Sequence, residues 1–190
     1  MIDILDEEAF SYVKIECLSE KNIPKDFPME NPKHNIYANW LFECALDYQS
    51  FLVTKTYLLI DNKSREAFAY ISLICDSINV TPDEKNSSGL DEIPFTTFPA
   101  IKIAQLAVSS KFKDKYNHAG SFLIDFAADK AFQIANEYAA CRFISVDADI
   151  ENNPDSPEFY KANGFAPMTD RKYTKKTKIC CMYKDMMPNE

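Results

Sequence analysis

The sequence predicts an α/β (α+β) fold, a central mixed β-sheet flanked by α-helices, built as one domain over residues 1–190. Three observations predict it. TKTYLLID and EAFAYISLICDSI are strand-like runs separated only by the turn-like NKSR, which makes them an antiparallel pair. PAIKIAQLAVSS and CRFISVDADI are two more strand-like runs with a long amphipathic stretch between them, so residues 100–108 and 142–149 are expected to lie parallel across a right-handed helical crossover. The chain also has 190 residues, 46% of them hydrophobic and 13% aromatic, enough for one substantial core, and no internal repeat or low-complexity block.

The elements follow in order. MIDILDEEAF is acidic and lacks the basic start and continuous apolar segment of a secretion signal, so the expected location is the cytoplasm. YVKIECLS, with Tyr12, Ile15 and Cys17 among polar residues, fits an early strand. Residues 21–32 carry three prolines and read as irregular chain. In IYANWLFECALDYQSFL, the residues Ile36, Trp40, Leu41, Cys44, Ala45 and Tyr48 recur at helical spacing, which predicts one helix of about four turns. The two paired strands come next, then TPDEKNSSGLDE, expected to be a flexible excursion. SFLIDFAADKAFQIANEYAA is a long amphipathic helix between the two parallel strands. A short helix around FYKAN and a last strand in KICCMYKD complete the pattern.

Bulk properties restrict the function classes. Mean hydropathy is -0.30 and no apolar run reaches the roughly 18 residues of a membrane span, so no membrane association is expected. The six cysteines show neither CxxC spacing nor nearby histidines, and the two histidines are far apart, so no metal site is expected. The cysteines read as reduced, mostly buried small hydrophobes. A net charge of -8 sets up a field that repels polyanions and argues against nucleic acid as a partner. The one basic concentration, RKYTKKTK at 171–178, reads first as a solvated hairpin or strand edge.

Two stretches carry the functional signal. In SSKFKDKYNHAGSFLID a lysine-studded loop enters a helix through Ala119, Gly120 and Ser121. The first amides of a helix have no intrahelical partner and carry partial positive charge, a combination that attracts phosphate. Small residues let an anion approach the backbone, and Lys111, Lys113 and Lys115 offer cationic side chains. Asn117 and His118 tolerate the left-handed region that such a turn requires. On these residues alone, a solvated loop before a core helix fits equally well. In SPEFYKANGF, Ser156 suits the N-cap, Pro157 the first helical position and Gly164 the left-handed residue past the helix end. Tyr160 reads there as an aromatic core residue or as a functional phenol.

Together, QLAV, the loop into AGSFLID, the long helix, RFISVDA and NNPDSPEFYKANGF resemble the GCN5-related N-acetyltransferase (GNAT) superfamily, most clearly from Pro99 to Phe165. The loop pattern Q/R-x-x-G-x-G/A is met by KYNHAG, with Lys115 in the Q/R place, His118 in the first glycine place and Gly120 in the second. The pattern N-x-x-A-x-x-F-Y-x-x-x-G-F is met by Asn153, Ser156 in the alanine place, Phe159, Tyr160, Gly164 and Phe165.

The resemblance implies an acetyl-coenzyme A co-substrate in a V-shaped opening between the strands ending at Val108 and near Asp149. Its pantetheine amides would pair with the backbone of Leu106, Ala107 and Val108. Its pyrophosphate would sit on the amides of Tyr116, Asn117, His118, Ala119, Gly120 and Ser121, with Lys113 and Lys115 nearby. Asn153 would bond the pantetheine arm. Tyr160 would protonate the departing thiolate after direct attack by an amine. Asp147 and Asp149 are weighed as bases for the incoming amine, and neither is assigned. The expected acceptor is a small-molecule or protein amine. Two alternatives stay open: an acetyltransferase toxin acting on aminoacyl-tRNA, kept by the 171–178 cluster, and a non-catalytic acyl-coenzyme A-binding module. A homodimer is compatible with the sequence.

Overall fold

The computed structural model describes residues 12–169 and 178–187, so the basic cluster expected at 171–178 lies outside the described residues except for Lys178. Seven strands form one mixed sheet: β1 (Val13–Cys17), β2 (Lys55–Asp61), β3 (Ala67–Asn79), β4 (Thr97–Val108), β5 (Phe143–Asp149), β6 (Ala166–Pro167) and β7 (Ile179–Asp185), in the order β1-β2-β3-β4-β5-β7-β6. The expected hairpin is the β2–β3 pair, antiparallel, with a register shift at Leu59 and Ile60. The expected parallel pair is β4–β5, in register from Ala100 opposite Phe143 to Ile103 opposite Val146. β4 then runs on to Val108 beyond this ladder. β7 returns antiparallel along all of β5, and the two-residue β6, too short to leave a periodic signal, pairs with β7.

The helices are α1 (Asn35–Glu43), α2 (Ala45–Ser50), α3 (Pro82–Ser87), α4 (Ala119–Glu137) and α5 (Ser156–Ala162). The single helix expected from Ile36 onward is therefore two. Cys44, at φ -122° and ψ -33°, leaves helical geometry between α1 and α2. The hydrogen bonds nevertheless run across the joint, Cys44 N–H donating to Trp40 C=O and Tyr48 N–H to Cys44 C=O. Ala38, Leu41 and Ala45 stay buried on one stripe, which is why periodicity alone did not reveal the kink. The expected flexible excursion contains α3. Its start is a capping box: Thr81 Oγ1 accepts from Glu84 N–H, and Glu84 Oε2 accepts from Thr81 N–H at 2.7 Å. Glu84 is buried because Thr169 also donates to it, through N–H at 2.9 Å and Oγ1 at 3.0 Å.

The chain groups into two compact units, Met1–Leu73 with Ala104–Leu123 and Ile74–Ile103 with Ile124–Glu190. In the first, Leu41, Ala45, Leu58, Ile60, Tyr70 and Ala107 form the centre of a core. Trp40 stacks on Tyr70 with ring centroids 5.9 Å apart, and the Tyr70 hydroxyl donates to Tyr37 C=O at 2.8 Å. In the second, Ile78, Val80, Phe98, Ala100, Phe143 and Met168 pack together. All six cysteines are free thiols but less buried than expected: Cys75 is exposed and the other five are half-buried.

Candidate functional site

The turn between β4 and α4 is fixed from below by a carboxylate that sequence reasoning passed over. Asp61, at the end of β2, is fully buried at 0% exposure. Its Oδ1 accepts from the backbone N–H groups of Lys63 at 2.8 Å and Ser64 at 2.7 Å, an Asx turn closing the hairpin to β3. Its Oδ2 accepts from Lys115 Nζ and from the Tyr116 hydroxyl, the latter at 2.5 Å. Burial pushes the Asp61 carboxyl up, but the bonds from Lys115, Tyr116 and Ser64 outweigh it and hold the group well below the usual carboxylate range. The Tyr116 ring stacks on Phe68 with centroids 4.3 Å apart. Burial, then its bond to Asp61, pushes the Tyr116 phenol up. Tyr116 is therefore a core side chain, a correction to its expected place on the surface of the turn.

The remainder of the turn is fastened to the chain before α1. Ser109 N–H donates to Phe68 C=O at 2.7 Å, and Ser110 N–H donates to Pro28 C=O at 2.9 Å. Lys111 Nζ pairs with Asp26 at 3.2 Å and Glu66 at 2.7 Å, and Lys113 Nζ pairs with Glu30 at 2.6 Å. All three loop lysines expected as phosphate ligands thus already hold carboxylates.

His118 takes φ +62°, the left-handed conformation expected of the residue in the first glycine place. Its carbonyl accepts from Phe122 N–H at 3.0 Å, which makes it the residue that opens α4. The N–H groups of Ala119, Gly120 and Ser121 consequently precede the first intrahelical bond. Ala119 and Gly120, with small side chains or none, are both buried. Upstream on β4, Ala107 is buried in the core while Leu106 and Val108 are half-buried.

The second unit holds the other expected residues. α5 begins one residue earlier in function than expected: Asp155 is the N-cap, without a side-chain bond, and Ser156 opens the helix. Gly164 ends it at φ +84°. Tyr160 is buried, flanked by the Phe159 and Phe165 rings at 5.1 and 5.3 Å. Burial pushes its phenol well above the ordinary tyrosine range, so the group stays protonated at neutral pH. Among the described residues its hydroxyl has no hydrogen-bond partner. Asn152, rather than Asn153, holds the strand end, donating from N–H and Nδ2 to Asp149 at 3.0 and 2.8 Å. Asn153 contributes its C=O to Ser156 N–H at 3.0 Å, and among the described residues its side-chain amide makes no hydrogen bond. The two carboxylates weighed as bases are both engaged, Asp149 with Asn152 and Asp147 with Lys102 Nζ at 2.6 Å.

Among the described residues no group of three or more metal-ligating side chains converges, and no helix is long and apolar enough to cross a membrane. No family model matches the sequence, and comparison with curated proteins returns no match. Solved structures do match. A tyrosine-to-phenylalanine mutant of KacT superposes with a TM-score of 0.72 at 13% identity, over 92% of this chain and 95% of that one. AtaT complexed with acetyl-methionyl-tRNAfMet gives 0.68 at 17% identity, over 90% and 93%. AtaTR bound with AcCoA gives 0.65 at 16% identity, over 93% and 94%. The chain shares the fold of these solved structures.

Proposed function

We propose that the chain is an acetyl-coenzyme A-dependent N-acetyltransferase. The observation that carries this reading is the left-handed His118, which opens α4 so that the amides of Ala119, Gly120 and Ser121 precede its first internal bond. In this reading those amides, with the backbone of Tyr116, Asn117 and His118, receive the diphosphate of coenzyme A, aided by the positive end of the α4 dipole. The backbone of Leu106, Ala107 and Val108 pairs with the pantetheine amides, and the uncommitted amide of Asn153 bonds the same arm. The likeness to AtaTR bound with AcCoA supports the choice of ligand.

The reaction needs no enzyme nucleophile. The acceptor nitrogen attacks the thioester carbonyl, the carbon–sulfur bond breaks, and the Tyr160 hydroxyl gives its proton to the departing thiolate before regaining one from solvent. The acceptor's own surplus proton leaves to solvent, since Asp147 and Asp149 are held by Lys102 and Asn152. Lys113 and Lys115 reach the cofactor only by leaving Glu30 and Asp61, so their contribution is secondary to that of the backbone.

The acceptor is a small-molecule or protein amine, as an acidic chain of net charge -8 favours cationic partners. A second reading, the amino group of an aminoacyl-tRNA, is favoured by the likeness to AtaT complexed with acetyl-methionyl-tRNAfMet. Thiol release is followed with acetyl-coenzyme A and either an amine panel or a set of charged tRNAs, while calorimetry measures cofactor binding. Turnover on an amine supports the first acceptor, and turnover only on charged tRNA supports the second. Binding without turnover on either identifies a non-catalytic acyl-coenzyme A module, and failure to bind removes the whole reading.

A further inference from the structure

The first unit carries a hollow of about 710 Å³ bordered by β1, the hairpin from β2 to β3 and the chain from Ser19 to Asp26; none of residues 115–121 lines it. Three carboxylates line it, and each is already paired. Glu16 takes Lys14 Nζ at 2.5 Å and Asn22 Nδ2 at 3.2 Å, while Asp26 and Glu66 share Lys111. Among the described residues Lys21, Lys25 and Arg65 form no ion pair, although the Arg65 charge helps hold the Glu16 carboxyl down. In a chain of net charge -8, a lining of four cations (Lys14, Lys21, Lys25 and Arg65) against three carboxylates runs counter to the overall charge.

Internal hydrogen bonds hold the backbone under these cations. Asn22 Oδ1 accepts from Ser19 N–H at 2.7 Å, and Asn22 Nδ2 donates to Cys17 C=O at 2.9 Å, fixing the turn that carries Lys21. Arg65 occupies the left-handed region at φ +65°, with its N–H donating to Asp61 C=O at 2.8 Å. The Asx turn of Asp61 locks the two residues before it. Ile60 and Ala67 add apolar surface to the same hollow. A guanidinium matches phosphate oxygens in a fork, ammonium groups add charge, and the volume falls within the range of small-molecule sites.

We propose that this hollow binds a phosphomonoester of mononucleotide size, with Arg65 on the phosphate and Lys21 and Lys25 flanking it. The site is separate from the start of α4 and does not depend on the acetyltransfer reading.

Calorimetric titration of the full chain with the four ribonucleoside 5′-monophosphates, each against its uncharged nucleoside, tests it. At least one monophosphate is expected to bind with a Kd below roughly 1 mM and about tenfold or more tighter than its nucleoside. The double variant Lys21→Glu with Arg65→Glu loses that binding, and Lys25→Glu weakens it without touching the hairpin, while Gly120→Glu leaves it unchanged. The proposal is overturned if no monophosphate binds, if nucleosides bind as well, or if charge reversal has no effect. Loss in Gly120→Glu alone places the phosphate on α4 and overturns it as well, as does binding of an RNA oligonucleotide without any mononucleotide.

Discussion

Tyr160 and Asp61 are both buried and both titratable, yet their surroundings give them opposite tasks. Tyr160 is flanked by rings, its proton is retained, and among the described residues nothing accepts it. Replacing it with Phe keeps the ring packing and removes only the donated proton. Turnover in Tyr160→Phe is expected to fall about 100-fold or more, with acetyl-coenzyme A affinity within about twofold of the parent chain by calorimetry. Unchanged turnover removes the phenol from the mechanism. Asp61 is surrounded by donors that favour its charged form. Because its folded value lies below the unfolded carboxylate value of about 3.9, its contribution to stability is complete above that pH and is lost as pH falls through the folded value. Asp61→Asn is therefore expected to cost about 2 kcal/mol at neutral pH, the scale of hydrogen bonds to a charged group. The gap should narrow as urea denaturation is repeated below about pH 4. A gap independent of pH contradicts this assignment.

At the scale of elements, local chemistry explains both what the sequence disclosed and what it hid. The strands β2 to β5, the long α4 and the α5 stop at Gly164 were legible because periodicity and cap residues are local properties. Residues 81–84, T-P-D-E, spell a capping box inside a stretch whose Pro82 and Gly89 suggest a loop, although Pro is suited to the first helical turn. Thr81→Ala should lower stability by about 1 kcal/mol in chemical denaturation, and no change would show that α3 stands without its cap. Gly164→Ala should cost about 1 kcal/mol for a different reason. A Cβ there meets Lys184 Cε at 3.5 Å, ordinary contact, so the cost comes from φ +84° rather than from crowding. The bond that the Tyr116 hydroxyl donates to Asp61 joins residues 55 positions apart, and no local pattern encodes such a contact. The same holds for the ion pairs that occupy Lys111, Lys113 and Lys115, which composition alone presented as available cations.

For the whole molecule, the net charge of -8 and the pre-paired loop lysines lead to one expectation about binding. Coenzyme A affinity should rest on peptide donors more than on mobile cations, and raising salt from about 0.05 M to about 0.5 M should weaken it by less than tenfold. A steeper loss assigns the binding to lysines released from their carboxylates. The most direct test of the central claim is the amide nuclear magnetic resonance spectrum of the full chain titrated with acetyl-coenzyme A. The N–H signals of Ala119, Gly120 and Ser121 are expected to show the largest shifts, and Gly120→Glu to abolish them. Saturating acetyl-coenzyme A that leaves those three signals in place, or shifts only residues elsewhere, contradicts the claim that the start of α4 holds the diphosphate.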